Sequence, residues 1–442
     1  MRKFYLVTLG CPKNVVDSEG IHRQMEAAGF RPVDSPRRAD VLIVNTCGFI
    51  GDALDESLLA LGELASAKRP GQVLVAAGCL SERDGAAMLR KVAGIDAVLG
   101  TRRWAEIADL VEQRAALRDP LVWTGDSGDA ASGPWCESAP MPRLAHQTTA
   151  YVKIADGCSA PCAFCTIPLI KGPYRSRSMD AILAEAEFLA ASGTRELILI
   201  AQDTTSYGRD TGKGSLVELL RTLSARLPQV RWIRLMYAYP QFVSRELMDV
   251  MAAAPNVCHY LDIPLQHAHP DVLRRMRRPS DMDAVRRLLA SLREAMPDIA
   301  IRTTFIVGFP GETDAEFQAL LQFMSEARFD RVGVFKYSAE AGTPAADLPG
   351  QIADEVKQSR YEQAMALQQE ISLARNEALV GREMDMLLDG YGDGLSVGRT
   401  YRDAPEIDGL VLVAGELPVG EFVRVKITRA MEYDLEGEVL AP

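Results

Sequence analysis

The chain has 442 residues, of which 48% are hydrophobic, so it can bury the cores of roughly three domains. Its apolar runs are shorter than the roughly 18 residues that span a membrane, and its N-terminal run is too short for a signal peptide. We therefore expect a cytoplasmic chain without a membrane partner, in which eight cysteines indicate metal binding or catalysis rather than disulfides. The net charge of −11 argues against a chain whose main role is to bind nucleic acid.

Three continuous apolar runs in the first third of the chain are typical of buried parallel strands. The runs are KFYLVTLGC, ADVLIVNTC and GQVLVAAGC, and they end at Cys11, Cys47 and Cys79. Helical stretches at residues 18–28 and 54–67 separate them, which predicts a parallel βαβ sheet. Ligands of such sheets lie beyond the carboxyl ends of the strands, so we expect the three thiols to converge on a metal site. The alternative is that small cysteines simply pack well at buried strand ends.

From about residue 151 the pattern alternates strand and helix six times, which predicts a partial (β/α)6 barrel. The active face of such a barrel lies at the carboxyl ends of its strands. The predicted strands are residues 151–155, 196–201, 231–237, 259–263, 301–307 and 331–337.

The loop after the first of these strands reads DGCSAPCAFCTIP and holds Cys158, Cys162 and Cys165 within eight residues. A [4Fe–4S] cluster usually takes four cysteines, so three thiolates leave one iron without a protein ligand. An open metal position is where chemistry occurs, by the logic that separates catalytic from structural zinc sites. Phe164 lies beside the last cysteine, where its ring either shields the cluster or stacks on a ligand. A zinc knuckle with a distant fourth ligand and unliganded thiols are the alternatives.

A three-cysteine loop after the first strand of a six-unit barrel resembles the radical S-adenosylmethionine (SAM) enzymes, and the N-terminal cysteines narrow the resemblance to the methylthiotransferases. The resemblance covers nearly the whole chain. It implies SAM and two [4Fe–4S] clusters as cofactors, with an electron donor such as flavodoxin or ferredoxin. The cluster that binds SAM is then held by Cys158, Cys162 and Cys165, and the auxiliary cluster by Cys11, Cys47 and Cys79. The other contacts to SAM that the resemblance implies come from Gln202, Asp203, Gln266, Gly308 and Glu312.

This family has two branches, one of which modifies adenosine beside the tRNA anticodon and the other an aspartate of small-subunit ribosomal protein twelve. The stretches LGCPKNVVDSE and AQDTTSYG resemble the second branch, whereas the tRNA enzymes read more like FGCQMN and GQNV there. Residues 377–442 resemble the TRAM β-barrel, often an RNA binder, but carry fourteen acidic and six basic side chains. Because RNA affinity rests on cations that neutralise phosphates, this net charge of −8 disfavours tRNA and suits a basic ribosomal protein. Ordinary solubilising charge is the alternative explanation.

The sequence thus predicts an α/β protein with an N-terminal parallel βαβ sheet, a central partial (β/α)6 barrel and a small C-terminal antiparallel β-barrel. The predicted parts are residues 1–112 with the auxiliary cluster, a linker at 113–146, the radical SAM barrel at 147–376 and the TRAM-like barrel at 377–442. The resemblance implies methylthiolation of the β-carbon of an aspartate, with one SAM as methyl donor and a second as radical source. The rival functions are methylthiolation of tRNA adenosine and electron transfer by two ordinary clusters.

Two basic stretches allow more than one interpretation. Arg175 and Arg177 in GPYRSR either bind a carboxylate bidentately or anchor their loop. The run RRMRRPS at residues 274–280 is interpreted as a solvated helix end, with an RNA contact as the alternative.

Overall fold

The computed structural model describes residues 2–117, 119–125 and 143–440. These residues form three parts in chain order, which are a parallel sheet, a partial barrel and a closed β-barrel. The predicted linker at 113–146 lies largely outside them, and so does Cys136. Within the described ranges, every helix is too short or too polar to cross a membrane.

The N-terminal domain is a six-stranded parallel sheet in the order β2-β1-β3-β4-β5-β6. Its runs are continuous because apolar clusters cover both faces of the sheet. The sheet continues past residue 112, since α5 crosses that position and β6 pairs with β5. The strands are β1 (Lys3–Thr8), β2 (Arg31–Pro32), β3 (Val41–Thr46), β4 (Val73–Gly78), β5 (Ala97–Gly100) and β6 (Leu121–Trp123). The helices are α1 (Pro12–Ala27), α2 (Gly51–Ala67), α3 (Cys79–Asp84), α4 (Ala87–Lys91) and α5 (Ile107–Ala116).

The central barrel has six parallel strands in the order β14-β13-β12-β11-β10-β7, which confirms the partial (β/α)6 barrel. Its largest apolar core lies between these strands and the helices outside them. The strands of this part are β7 (Thr149–Lys153), β8 (Ala155–Asp156), β9 (Arg175–Ser176), β10 (Glu196–Ile200), β11 (Trp232–Leu235), β12 (Val257–Asp262), β13 (Ala300–Val307) and β14 (Arg331–Lys336). The helices are α6 (Ile167–Lys171), α7 (Met179–Ala191), α8 (Leu216–Arg226), α9 (Arg245–Ala253), α10 (Pro270–Arg275), α11 (Met282–Ala295), α12 (Asp314–Ala327) and α13 (Asp354–Glu377).

The C-terminal part is a closed five-stranded barrel in the order β15-β16-β17-β19-β18. It is mainly antiparallel, as predicted, although β17 and β19 run parallel. Its interior is filled by a separate apolar cluster. The strands are β15 (Glu383–Gly392), β16 (Leu395–Arg399), β17 (Val411–Ala414), β18 (Phe422–Ala430) and β19 (Leu435–Val439).

The sheet domain and the closed barrel contact opposite ends of the central barrel. Asp17 of α1 pairs with Lys153, the last residue of β7. Arg399 of β16 pairs with Glu196, the first residue of β10, at 2.8 Å. The carboxyl ends of the barrel strands, where the active face of such a fold lies, therefore face the sheet domain.

Candidate active site

The sheet triad, which is Cys11, Cys47 and Cys79, lies beyond the carboxyl ends of β1, β3 and β4. The strand order reverses between β1 and β3, and such a switch point is where open parallel sheets bind ligands. The cysteine loops pack closely, because a Cβ atom on Gly10 would lie 2.9 Å from Cys47 Sγ. Gly10 also has φ +88°, so glycine alone suits both the angle and the approach. Cys79 Sγ donates a hydrogen bond to Asn14 Oδ1 at 3.5 Å.

The barrel triad lies on the loop between β8 and α6 and consists of Cys158, Cys162 and Cys165. The loop turns at Gly157, where φ is +73° and an added Cβ would clash with the backbone of the facing segment. Its centre is fixed by Ala163, whose N–H donates to Met276 O and whose carbonyl accepts from Ala345 N–H, both at 2.9 Å. These bonds hold the triad against the mouth of the barrel.

The two triads share one cavity of about 390 Å³ between the sheet domain and the central barrel. All six cysteines belong to its lining, as do residues from the barrel loops on the opposite wall. Two three-thiol sites on one cavity can act on the same bound molecule, because proximity replaces diffusion between them.

Burial keeps most of these thiols protonated in the absence of a metal. It raises the pKa of Cys79 and of Cys165 to about 12, and it also raises the pKa of Cys47 and of Cys158. Within the described residues, none of the six forms a disulfide. A metal that binds here must displace protons, which is how thiolate sites normally assemble. Three thiols per site fit an iron–sulfur cluster that keeps one open iron.

Three of the five expected SAM contacts also line the cavity, namely Gln202, Asp203 and Gln266, and so does Phe164. Gln202 Nε2 donates to Asp156 Oδ1 at 3.0 Å, while its buried Oε1 has no hydrogen-bond donor among the described residues. An unsatisfied buried acceptor is costly, and the ammonium group of SAM would satisfy it. The carboxylate of Asp203, by contrast, already accepts bonds from Thr205 and Ser206. Gln202 therefore fits the amino group of SAM better than Asp203 does.

The other two expected contacts, Gly308 and Glu312, are not part of the described lining of this cavity. Glu312 Oε2 accepts hydrogen bonds from the N–H groups of Gly308 and Phe309, at 2.5 and 2.9 Å. Its Oε1 lies 3.4 Å from the guanidinium of Arg360. Glu312 thus closes its own loop, and a contact between these residues and SAM stays a prediction.

The lining also holds three cations, Lys13, Lys171 and Arg278, which the sequence analysis did not place at the site. Lys13 lies in the first turn of α1, is 8% exposed, and has its Nζ 3.0 Å from the ring centroid of Tyr237. Burial lowers the pKa of Lys13 to about 8. Arg278 stacks 4.1 Å from the ring centroid of Tyr239, and its Nη1 lies 3.8 Å from Cys162 Sγ. A lysine placed two residues after an expected ligand was the available signal for Lys13.

The basic run at residues 274–280 therefore splits between solvent and the cavity. Arg274 is exposed and pairs with Asp271, as the interpretation of a solvated helix end requires. Arg275 pairs with Glu316 at 3.1 Å. Arg278 instead belongs to the cavity wall.

A buried charge cluster joins the two walls of the site. Lys171 Nζ donates to Asp17 at 3.0 Å and to Asp156 at 3.4 Å, and Lys153 also pairs with Asp17. Burial alone would raise the pKa of Asp156, but the ammonium groups of Lys153 and Lys171 outweigh it and hold that pKa well below its usual range. The cluster fixes α1, and hence Cys11, against the barrel loop that carries the second triad.

Of the two arginines in GPYRSR, Arg177 has a structural role. Its guanidinium is fully buried, donates to Lys153 O at 2.7 Å and pairs with Glu185 at 2.6 Å. These contacts favour loop anchoring over carboxylate binding. Arg175 is partly exposed, and its Nε has no hydrogen-bond partner among the described residues.

Three known families match successive parts of the chain. Residues 3–100 match the uncharacterized protein family UPF0004, residues 152–324 match the radical SAM superfamily, and residues 380–440 match the TRAM domain. Solved structures agree on the fold. A radical SAM methyltransferase, TsrM from Kitasatospora setae, covers 90% of this chain and 77% of its own with a TM-score of 0.56 at 15% identity. The central barrel with its three-cysteine loop is thus that of a radical SAM enzyme.

Full-length relatives define the family more narrowly. The chain is 52% identical to the ribosomal protein uS12 methylthiotransferase RimO of a Roseiflexus species, over 99% of this chain and 97% of the relative. It is 50% identical to the RimO protein of Chloroflexus aurantiacus, over 99% of this chain and all of the relative. The chain belongs to the RimO family of radical SAM methylthiotransferases. Membership of an enzyme family argues against the electron-transfer alternative.

Proposed function

We propose that this enzyme transfers a methylthio group to the β-carbon of an aspartate in ribosomal protein uS12. The observation that carries the proposal is the single cavity that both cysteine triads line. One site can hold the sulfur to be transferred while the other activates the acceptor, and both reach the same substrate. The relatives that share half of its residues over their full length bear the name of this activity.

The proposed cofactors are two [4Fe–4S] clusters and two SAM molecules per turnover. Cys158, Cys162 and Cys165 would hold the cluster that binds SAM, and Cys11, Cys47 and Cys79 the auxiliary cluster. Bound there, the groups supply a methyl group, a transferable sulfur and a radical that removes hydrogen from carbon. The protein would position them: Gln202 Oε1 would accept from the amino group of SAM, and Phe164, beside Cys165 in the cluster loop, would shield the cluster or stack on SAM. An electron donor such as flavodoxin or ferredoxin would supply the reducing equivalents in the cytoplasm.

Each part of the chain has a proposed role in this reaction. The sheet domain carries the auxiliary cluster and the central barrel carries SAM. The closed barrel, within residues 377–442, would contact the substrate protein. Its exposed charged side chains are mainly acidic, for example Glu406, Glu416 and Glu438. Such a surface attracts a basic ribosomal protein and repels the phosphates of tRNA.

An anaerobic assay tests the function directly. Reconstituted protein is given SAM, sulfide and a reductant with either uS12 or unmodified tRNA, and both are analysed by mass spectrometry. We expect a methylthio group on one aspartate of uS12 and none on tRNA. A methylthio group on tRNA adenosine instead would overturn the proposal and assign the chain to the branch of the methylthiotransferase family that modifies tRNA. A Cys162→Ala protein, treated in the same way, is the control for uncatalysed modification.

A further inference from the structure

Three cations face the cavity between the triads, and two of them are neutralised or engaged by the protein. Lys171 binds Asp17 and Asp156, at 3.0 and 3.4 Å. Arg278 donates to Pro264 O at 2.5 Å and stacks on the ring of Tyr239. Lys13 is different, because its ammonium group contacts the ring of Tyr237 but, among the described residues, donates no hydrogen bond and has no carboxylate within 4 Å. A buried charge without a counter-charge is unfavourable, so this position suits an anionic ligand.

The surroundings of Lys13 direct it towards a substrate rather than towards the fold. Its Nζ lies on the ring of Tyr237, on the opposite wall of the cavity. Tyr237 has φ +62°, a left-handed conformation that is unfavourable for an aromatic residue and is typical of functional sites. Cys11, Asp262 and Asp156 lie near enough to influence the charge of Lys13, yet neither carboxylate forms an ion pair with it. Both carboxylates have other cationic partners, Arg302 for Asp262 and Lys171 for Asp156.

We infer that Lys13 is the specificity-determining residue that binds the side-chain carboxylate of the target aspartate. This inference rests on the proposed function. The carboxylate carbon of aspartate is bonded to the β-carbon. An ammonium group that binds the carboxylate therefore also positions the reacting β-carbon, which is one bond away from the carboxylate. Lys13 follows Cys11 by two residues, which places the bound carboxylate on the side of the sheet triad. The β-carbon then lies between the sulfur donor and the radical source. Asparagine, which has the same shape but no charge, would lose this interaction.

The test is a double-mutant cycle on binding. Labelled uS12 and its target Asp→Asn variant are titrated anaerobically with reconstituted wild-type, Lys13→Met and Lys13→Arg proteins. With the wild type, we expect the Asp→Asn change in uS12 to weaken binding about 10- to 100-fold, the range for a hydrogen bond to a charged group. Lys13→Met should weaken binding of unchanged uS12 by a similar factor, and the two changes together should weaken it no further. Lys13→Arg should restore most of the affinity, since it keeps the charge.

Two further measurements separate this role from a structural one. Iron content and the dissociation constant of SAM are measured for each variant, and Lys213→Met, a change at an exposed lysine, is the matched control. A fall in iron content or in SAM affinity for Lys13→Met would assign Lys13 to a cofactor and overturn the inference. So would an unchanged discrimination between aspartate and asparagine in that variant. If the wild type modifies uS12 but either of these two contradicting results is found for Lys13→Met, the inference fails and the proposed function stands. If the wild type does not modify uS12, both fail.

Discussion

The two ends of the central barrel bury charge in different ways. At the amino ends of the strands, where the closed barrel docks, buried arginines meet carboxylates: Arg399 binds Glu196, Arg331 binds Asp403, and Arg402 binds Asp330. The carboxyl ends also have a buried paired cluster, around Lys171, but there the thiols of both triads face a cavity beside Lys13, which forms no ion pair within the described residues. Oppositely charged groups that pair with one another hold two parts of the protein together, whereas unpaired polar groups and unliganded thiols mark a place where a ligand binds. Substitutions at the carboxyl ends should therefore affect the reaction, and substitutions at the amino ends should affect stability.

The largest effect is expected at the carboxyl ends, from the loss of single cysteines. Cys162→Ala should abolish both release of 5′-deoxyadenosine from SAM and methylthiolation, because SAM loses its cluster. Cys79→Ala should abolish methylthiolation while SAM is still cleaved. Each variant should drop from about eight to about four irons per chain, measured after reconstitution. Equal behaviour of the two variants in SAM cleavage would contradict the assignment of different roles to the two triads.

At the amino ends, the corresponding change should affect stability alone. Asp330 is buried and binds both Arg375 and Arg402, so Asp330→Asn leaves two arginines with a weakened partner. We expect a loss of about 3–5 kcal/mol in the free energy of unfolding, measured with denaturant. The rate per folded molecule should not change, because the residue lies at the far end of the strands. Asp283→Asn, at an exposed surface pair with Arg286, is the matched control.

The same carboxylate should make the closed barrel sensitive to acid. Burial alone would raise the pKa of Asp330, but Arg402 and Arg375 outweigh it and lower that pKa below its usual value. A carboxyl group whose pKa is lowered on folding stabilises the protein above its unfolded pKa of about 4, and this stabilisation is lost as the pH falls through the folded value. The stability of the wild type should therefore fall more steeply below about pH 4 than that of Asp330→Asn. Parallel slopes in unfolding experiments across this range would contradict the assignment.

The smallest effect is expected at a surface pair across the same interface. Glu421 is exposed and binds Arg195 at 3.1 Å. Glu421→Gln should cost no more than about 0.5 kcal/mol of unfolding free energy, because water and salt screen such pairs. A loss comparable to that of Asp330→Asn would contradict this expectation, because it would show that an exposed ion pair stabilises the interface as much as a buried one.

Much of the fold was predictable because its signals are local. Continuous apolar runs predicted β1, β3 and β4 of the sheet domain and the six strands of the central barrel, and the spacing of Cys158, Cys162 and Cys165 predicted one metal loop. The sheet triad was found by topology, since parallel strands bring their carboxyl ends together. The strands β2, β5 and β6 were not predicted, because runs of two to four residues give little periodic signal.

The details of the site were less predictable, because they depend on which side chains the third dimension brings together. Gln202 and Asp203 look equivalent in sequence, yet only Gln202 has a free buried acceptor. Glu312 reads as a ligand, yet its Oε2 binds two N–H groups of its own loop. In α1, the residues Lys13 and Asp17 are buried although both are charged, because the helix lies between two domains. A helix that starts at an expected ligand and carries charges four residues apart was the signal for this arrangement.

The helix α1 also sets the distance between the sheet domain and the central barrel. The helix starts at Pro12, directly after Cys11, and its Asp17 pairs with Lys153 of the barrel. Asp17 lies six residues after Cys11, a span of roughly 9 Å at the helical rise. One extra residue in this span would turn all that follows by about 100° and lengthen the gap by about 1.5 Å. An insertion or deletion among the seven residues from Cys11 to Asp17 should therefore disrupt the reaction, because it would change the distance between the two triads.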